Sequence, residues 1–247
     1  MTTRIFVTNA GVEVPAITTD QMREVDRVAM EEVGPNLYQM MENAGRNLAL
    51  TVLETLMDDW TSTPITVLAG TGGNGGGGVC AARHLANRGA DVTVVITDPQ
   101  GLAPVPKEQL DIYRGTPGKL TEAEALDTLR PGLIIDAIIG YSLRGAPGGV
   151  ARRMIDWVGD QSAPAISLDV PSGIDSTTGE ASGAHVRAAT TLTLALPKTG
   201  LDTATVGDLW LADIGIPYEV YRRVGIDVPA SLFGDRFRVA LRPTIPD

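Results

Sequence analysis

The spacing of apolar residues along this chain changes near position 65. Before it, behind the capping-box pattern Thr18-Thr19-Asp20-Gln21, the residues Met22, Val25, Val28, Ala29 and Val33 fall on one helical face until Gly34-Pro35 interrupts them. Leu37, Met40, Met41, Ala44, Leu48, Val52 and Leu56 mark a second helix, which the polar stretch 58–64 closes. After it, short β-branched runs alternate with helical segments, at 65–68, 92–96, 133–137, 165–168, 192–196 and 209–212. Runs that are apolar at nearly every position are covered on both faces. The pattern therefore predicts a three-layer α/β/α sandwich around a mostly parallel, Rossmann-like sheet. Residues 98–107 and 116–119 read as turn-rich connections. No repeat, low-complexity tail or linker divides the chain, so residues 1–247 are read as one domain.

Charge narrows the partners. Twenty Lys and Arg face thirty Asp and Glu, a formal charge of -10, and such a field repels nucleic-acid backbones and anionic lipid surfaces. Cys80 is the only cysteine, which excludes an intrachain disulfide and points to a reducing compartment. Residues 1–16 lack the apolar core of a signal peptide, and no apolar run is long enough for a membrane span, so a cytoplasmic location is expected.

The candidate chemistry starts at residues 70–78, which hold seven glycines between an apolar run and a helical pattern. A tight turn needs one or two. The surplus points to a loop whose backbone N–H groups cradle an anion at a helix N-terminus, with no Cβ to keep the ligand away. A phosphate-transferring Walker loop is excluded, because Gly76 stands where the lysine would follow Gly75. Gly70, Gly72 and Gly75 do satisfy the dinucleotide G-x-G-x-x-G, with Asp98 downstream as a ribose acceptor, although so glycine-dense a loop fits that pattern by chance.

Further stretches join the loop: QMREVDRVAMEEVG, LYQMMENAG, AARHLANRGADVTVV, LIIDAIIG, SLDVPSGIDSTTG, LPKTGL and LWLADIGIP. In order and spacing they resemble the N-terminal YjeF-type domain of the NAD(P)H-hydrate epimerase family, over residues 18–217. The resemblance implies the same α/β/α fold and interconversion of the R and S forms of hydrated NADH or NADPH, damaged cofactors that a dehydratase then repairs. Since the chain ends at Asp247, that dehydratase is expected on a separate polypeptide. The resemblance also leaves room for a homodimer.

It further implies a potassium ion with side-chain ligands at Asn74, Asp136 and Ser172, and a catalytic carboxylate at Asp169. Substrate contacts are implied at Gly73, Asn74, Gly75, Gly76 and Gly77, at Asp169, and along a second loop formed by Gly140, Tyr141, Ser142, Leu143, Arg144, Gly145 and Ala146. Lys198 joins them as a phosphate or substrate contact. The family loop reads G-P-G-N-N-G-G-D-G, so Gly73 here replaces an asparagine and Gly77 an aspartate.

Plainer roles stand beside these. Asp136 can cap a helix, Asp169 and Ser172 can hold the turn at Pro171-Ser172-Gly173, and Arg144 can be merely solvated. Glu42 and Asn43 can serve packing or capping. His84 and His185 are far apart in sequence, so no His/Cys metal cluster is expected, and Cys80 reads as a small apolar residue in the first turn of its helix. The competing function is a nucleotide-binding or scaffolding protein that keeps the fold without turnover. An NAD-dependent oxidoreductase is a weaker third choice.

Overall fold

The computed structural model describes residues 5–201 and 203–244. The chain opens with a hairpin of β1 (Ile5–Thr8) and β2 (Glu13–Pro15). Helix α1 (Thr19–Val28) follows, capped by reciprocal bonds between Thr18 and Gln21, and widens into a π turn at Ala29–Val33 that Gly34 ends with a φ of 123°. A second capping box, between Asn36 and Gln39, starts α2 (Leu37–Leu56). Then come β3 (Ile65–Ala69), α3 (Gly73–Ala86), β4 (Val92–Ile96), α4 (Pro104–Tyr113), β5 (Lys119–Thr121), β6 (Leu133–Ala137), α5 (Gly149–Gly159) and β7 (Ala165–Leu168). The chain continues with β8 (Thr190–Leu194), α6 (Thr203–Val206), β9 (Asp208–Ala212), α7 (Tyr218–Arg223) and β10 (Arg238–Pro243).

Ten strands form one sheet in the order β2-β1-β10-β9-β8-β7-β6-β3-β4-β5. From β9 to β5 every pairing is parallel, and β10, β1 and β2 add an antiparallel edge. Alternate residues of a parallel strand feed different cores: Val67 packs with α2 and α3, while its neighbour Leu68 packs with Met154 and Trp157 of α5. A third core joins α1 and α7 to the antiparallel edge. Strand order reverses at β3, which has β4 on one side and β6 on the other. That reversal opens a crevice beyond the carboxyl ends of β3 and β6, the usual ligand position of an open α/β sheet. Among the described residues no helix is long and apolar enough to cross a membrane.

Several expectations are corrected. Residues 98–107 are not all connection, because α4 begins at Pro104; prolines in a first turn remove N–H groups that have no helical acceptor anyway. Lys119 likewise belongs to the edge strand β5. The run expected at 192–196 starts earlier, at Thr190, and stops at Leu194, because Ala195 takes a left-handed φ of 63°. Threonines at the start of that strand pull the apolar signal downstream. Cys80 lies in the middle of α3 rather than its first turn, since the helix begins inside the glycine run at Gly73.

That helix explains most of the glycines. A Cβ at Gly75 would strike the carbonyl oxygen of Gly70, one at Gly76 would lie 2.6 Å from Met41 Sδ of α2, and one at Gly78 would lie 2.5 Å from Ala137 Cβ of β6. On the facing helix, a Cβ at Gly45 would lie 2.5 Å from Cys80 Cβ. Bare backbone thus lets α3 settle close to both the sheet and α2. By contrast, the space around Gly73 is open. Gly78→Ala should therefore destabilise the fold by about 1–3 kcal/mol through overpacking. Gly73→Ala should be stabilising by about 0.5 kcal/mol, since less unfolded-chain entropy is lost. Urea midpoints of the two variants moving in the same direction would contradict this account.

Candidate active site

A cavity of about 580 Å³ occupies the crevice. Its floor comes from the loop after β3 (Gly70 to Asn74) and the loop after β6 (Ile138 to Ser142), and its apolar wall from Met22 of α1 and Leu37, Met40 and Met41 of α2. Gly72 caps α3 without a side-chain bond, so the first-turn N–H groups stay available to an anion.

Asp169 sits just past β7 with a φ of 69°, one of three described non-glycine residues in the left-handed region. Such a backbone costs free energy unless its surroundings fix it, and such residues gather at functional sites. Here the fixing contacts are plain. The Tyr141 N–H donates to Asp169 Oδ2 at 3.0 Å, and the Lys198 ammonium donates to Asp169 Oδ1. Lys198 is fully buried and also donates to the Leu194 carbonyl at 2.9 Å. It was expected as a phosphate or substrate contact. It does line the cavity, but its charge is committed to Asp169.

Asn74, Asp136 and Ser172 lie at two depths. Asn74 lines the cavity, and both its amide oxygen and nitrogen are buried without a hydrogen-bond partner. Asp136 and Ser172 are wholly buried behind it. The Asp136 carboxylate accepts from the hydroxyls of Ser167 (2.7 Å) and Ser172 and from the N–H groups of Ser172 (2.9 Å) and Ile138 (3.3 Å). No described cation pairs with it, and burial raises its pKa above the ordinary range while those bonds pull it back. The loop after β6 links the two depths: the Ile139 N–H donates to Ser172 Oγ, and Gly140 packs on the Asn74 amide. An orphaned amide oxygen, a buried carboxylate with no described cation and a hydroxyl, linked by the loop after β6, make a hard-oxygen set suited to a monovalent cation. The residues fit the ion.

The remaining expected contacts divide. Gly73, Gly77, Gly140, Tyr141 and Ser142 line the cavity; Gly75 and Gly76 do not, being packed against Gly70 and Met41. Leu143, Arg144, Gly145 and Ala146 also lie outside the lining, and Arg144 is exposed. Asp98 is exposed, accepts the N–H of Gln100 in a local turn, and is not part of the wall. Neither Gly73 nor Gly77 has a left-handed backbone, so side chains are conformationally allowed at both; at Gly77 the Cβ would meet Leu168 Cδ2 at 2.7 Å, a movable tip.

Two findings lay outside the expectations. Asp26 of α1 lines the cavity and accepts the Tyr141 hydroxyl at 2.6 Å. Burial raises its pKa, with the tyrosine bond acting the other way. Its signal was available: Asp26 falls four residues after Met22 and three before Ala29, on the helix face that is otherwise apolar. Secondly, Cys80 and His84 do meet, one turn apart on α3, with Glu42 between them, contrary to the expected absence of a His/Cys cluster. The Glu42 carboxylate bonds His84 Nε2 at 2.8 Å, the Cys80 thiol at 3.3 Å and the Arg83 guanidinium. With a guanidinium held in the cluster and the thiol pushed up to about 12 by burial and by Glu42, it is a packing network between α2 and α3. Asn43 has a packing role too, donating to the Ile214 carbonyl at 3.1 Å.

Comparison with known proteins follows this geometry. The family model described as YjeF-related protein N-terminus matches residues 37–200. A protein of Dehalogenimonas lykanthroporepellens named NAD(P)H-hydrate epimerase is 49% identical over 221 residues, 90% of each chain. A Salinibacter ruber protein named bifunctional NAD(P)H-hydrate repair enzyme Nnr is 35% identical over 82% of this chain, which spans 41% of that protein. In fold, the chain superposes on the crystal structure of the yeast protein YNL200c with a TM-score of 0.77 and 20% identity, covering 93% of this chain and 99% of that one.

The buried pair yields a prediction. Asp169→Asn keeps an acceptor for the Tyr141 N–H and tolerates the left-handed backbone, but leaves the Lys198 ammonium buried and unpaired. It should cost about 3–5 kcal/mol in urea unfolding, and adding Lys198→Met should recover most of that loss. Equal stability of Asp169→Asn and the wild type would show that the pair does not hold the site.

Proposed function

We propose that this chain, which belongs to the family of YjeF-related N-terminal domains, interconverts the R and S forms of hydrated NADH and NADPH at C6 of the nicotinamide ring. The observation that carries this reading is the left-handed Asp169, held by Lys198 and the Tyr141 N–H at the edge of a cavity that also contains an uncapped helix N-terminus. Identity of 49% to a protein named for that activity, over nine tenths of both chains, supports the same reaction.

The chemistry follows from the substrate. C6 carries a hydroxyl next to N1, so the nitrogen lone pair can expel that hydroxyl once it is protonated, giving an N1=C6 iminium and water. Return of water to the other face inverts the centre. The chain's part is to hold the phosphates on the α3 N–H groups, to seat the ring against Met40 and Met41, and to set Asp169 where it takes a proton from the entering water. The pyrophosphate contact relies on backbone, which replacement of two loop side chains by Gly73 and Gly77 does not remove. We also infer a potassium ion held by Asn74, Asp136 and Ser172, which when bound supplies a fixed positive charge beside the substrate. The bifunctional repair enzyme among the relatives supports a dehydratase as the partner activity.

The test starts from one purified epimer of hydrated NADPH and follows appearance of the other with a dehydratase that consumes a single form. The protein should bring the mixture to equilibrium far faster than buffer does. A rate equal to buffer, with the nucleotide still bound, would leave the binding-protein reading in its place. The ion has an independent readout: KCl should raise the melting temperature relative to equal choline chloride, and Asn74→Ala should abolish the difference. At the divergent loop, Gly73→Asn enters open space and should tighten binding of the hydrate about fivefold, the value of one added hydrogen bond, without tightening ADP-ribose. Equal gains for both ligands would remove the ring from that contact.

A further inference from the structure

Tyr141 joins two carboxyl groups of the cavity. Its backbone N–H holds Asp169 at 3.0 Å and its hydroxyl holds Asp26 Oδ2 at 2.6 Å, so the length of a tyrosine side chain separates them. The two acids come from different walls, Asp169 from the sheet end and Asp26 from α1. They are also in different states of compensation. Asp169 has the Lys198 ammonium against it; among the described residues Asp26 has no ion pair, and its one side-chain hydrogen bond is that from Tyr141.

We propose that Asp26 is a second catalytic residue, the proton carrier for the ring face opposite Asp169. This rests on the epimerase reading of the site. Inversion at C6 by loss and return of water needs an acid on the face the hydroxyl leaves and a base on the face where water enters. A single carboxyl cannot serve both faces at once, and two carboxyls spaced so that a ring and a water fit between them can, as in inverting sugar hydrolysis. In one direction the Asp26 carboxyl gives its proton to the C6 hydroxyl, the C6–O bond breaks, and the N1 lone pair forms the N1=C6 bond. Water then bonds to C6 from the other face, the π electrons return to N1, and Asp169 takes the proton. The other epimer uses the same steps with the roles exchanged. Solvent resets both groups, so no net proton is consumed.

The surroundings of Asp26 favour its protonated form over that of a solvated carboxyl. Burial raises its pKa, the Tyr141 hydroxyl bond opposes that, and of the more distant charges Lys198 lowers it and Asp169 raises it. Tyr221 of α7 is the other titratable group facing it, and Arg23 lies near Tyr141. Among these, only the Tyr141 hydroxyl bonds it directly.

Asp26→Asn keeps an oxygen to accept the Tyr141 hydroxyl but cannot donate a carboxyl proton. In the epimer assay it should lower kcat by a hundredfold or more while the Kd for ADP-ribose stays within threefold. Tyr141→Phe should lower the rate less, and by removing a bond that favours the charged carboxylate it should move the alkaline limb of the rate profile to higher pH. If Asp26→Asn turns over at more than a third of the wild-type rate, the proposal is wrong. If that variant does not fold, an unmoved alkaline limb in Tyr141→Phe overturns it equally. A wild-type protein with no activity on the hydrate would instead defeat the epimerase reading itself, and is told apart by that control.

Discussion

The ion pair between Lys198 and Asp169 is the contact on which the site is assembled. Lys198 is anchored from both directions: its main chain bridges to Ile17 just before α1, and its side chain caps the end of β8 through the Leu194 carbonyl. Asp169 in turn fixes the loop after β6 by accepting the Tyr141 N–H, and Tyr141 reaches α1 through Asp26. Four segments distant in sequence thus meet at one buried charge pair. Desolvating two charges costs several kcal/mol, and the left-handed backbone of Asp169 adds strain. A hydrophobic pair would be cheaper for stability, so a buried charge pair here points to chemistry rather than packing as what sets the residues.

The cavity's polarity is divided by depth. The α3 N-terminus brings backbone N–H groups to the cavity, Asn74 adds an amide without a hydrogen-bond partner among the described residues, and Asp136 and Ser172 are wholly buried outside the lining. The walls from α1 and α2 are apolar, with methionines that adapt to a flat ring. A ligand with phosphate at one end and a polar ring at the other therefore meets complementary chemistry at each. The acidic surface of the chain does not compete, because the α3 N-terminus works through local dipoles rather than net charge.

Much of this was legible in the residues, for identifiable reasons. Strands 92–96, 133–137 and 165–168 match the sequence reading to the residue because each has a single polar position in an otherwise apolar run and starts after an aspartate, glycine or proline. The antiparallel strands β1, β2 and β10 are not legible there, because β2 has only three residues and β1 and β10 pair across most of the chain length, as Phe6 with Pro243. Asp169 is singled out by its place at a strand end together with the family resemblance, and Asn74 by the resemblance within the glycine loop. The local pattern marks Asp26 only as an acid on an apolar helix face; its partner, the Tyr141 hydroxyl 115 residues away, is visible in the fold alone. Gly75 and Gly76 were assigned to a ligand because close helix packing and ligand approach ask for the same residue.

The four consecutive glycines of α3, at positions 75 to 78, also bear on how the domain comes together. Each lowers helix stability by about 0.5–1 kcal/mol relative to alanine, so this segment has little tendency to coil alone and its first turns cannot act as a nucleus. It becomes helical only when the surface formed by β3, β6 and α2 is there to receive it. Its amide protons should consequently exchange with solvent only through openings that also disrupt that surface. The anion cradle at its tip is then a late product of folding, absent from any partly formed chain.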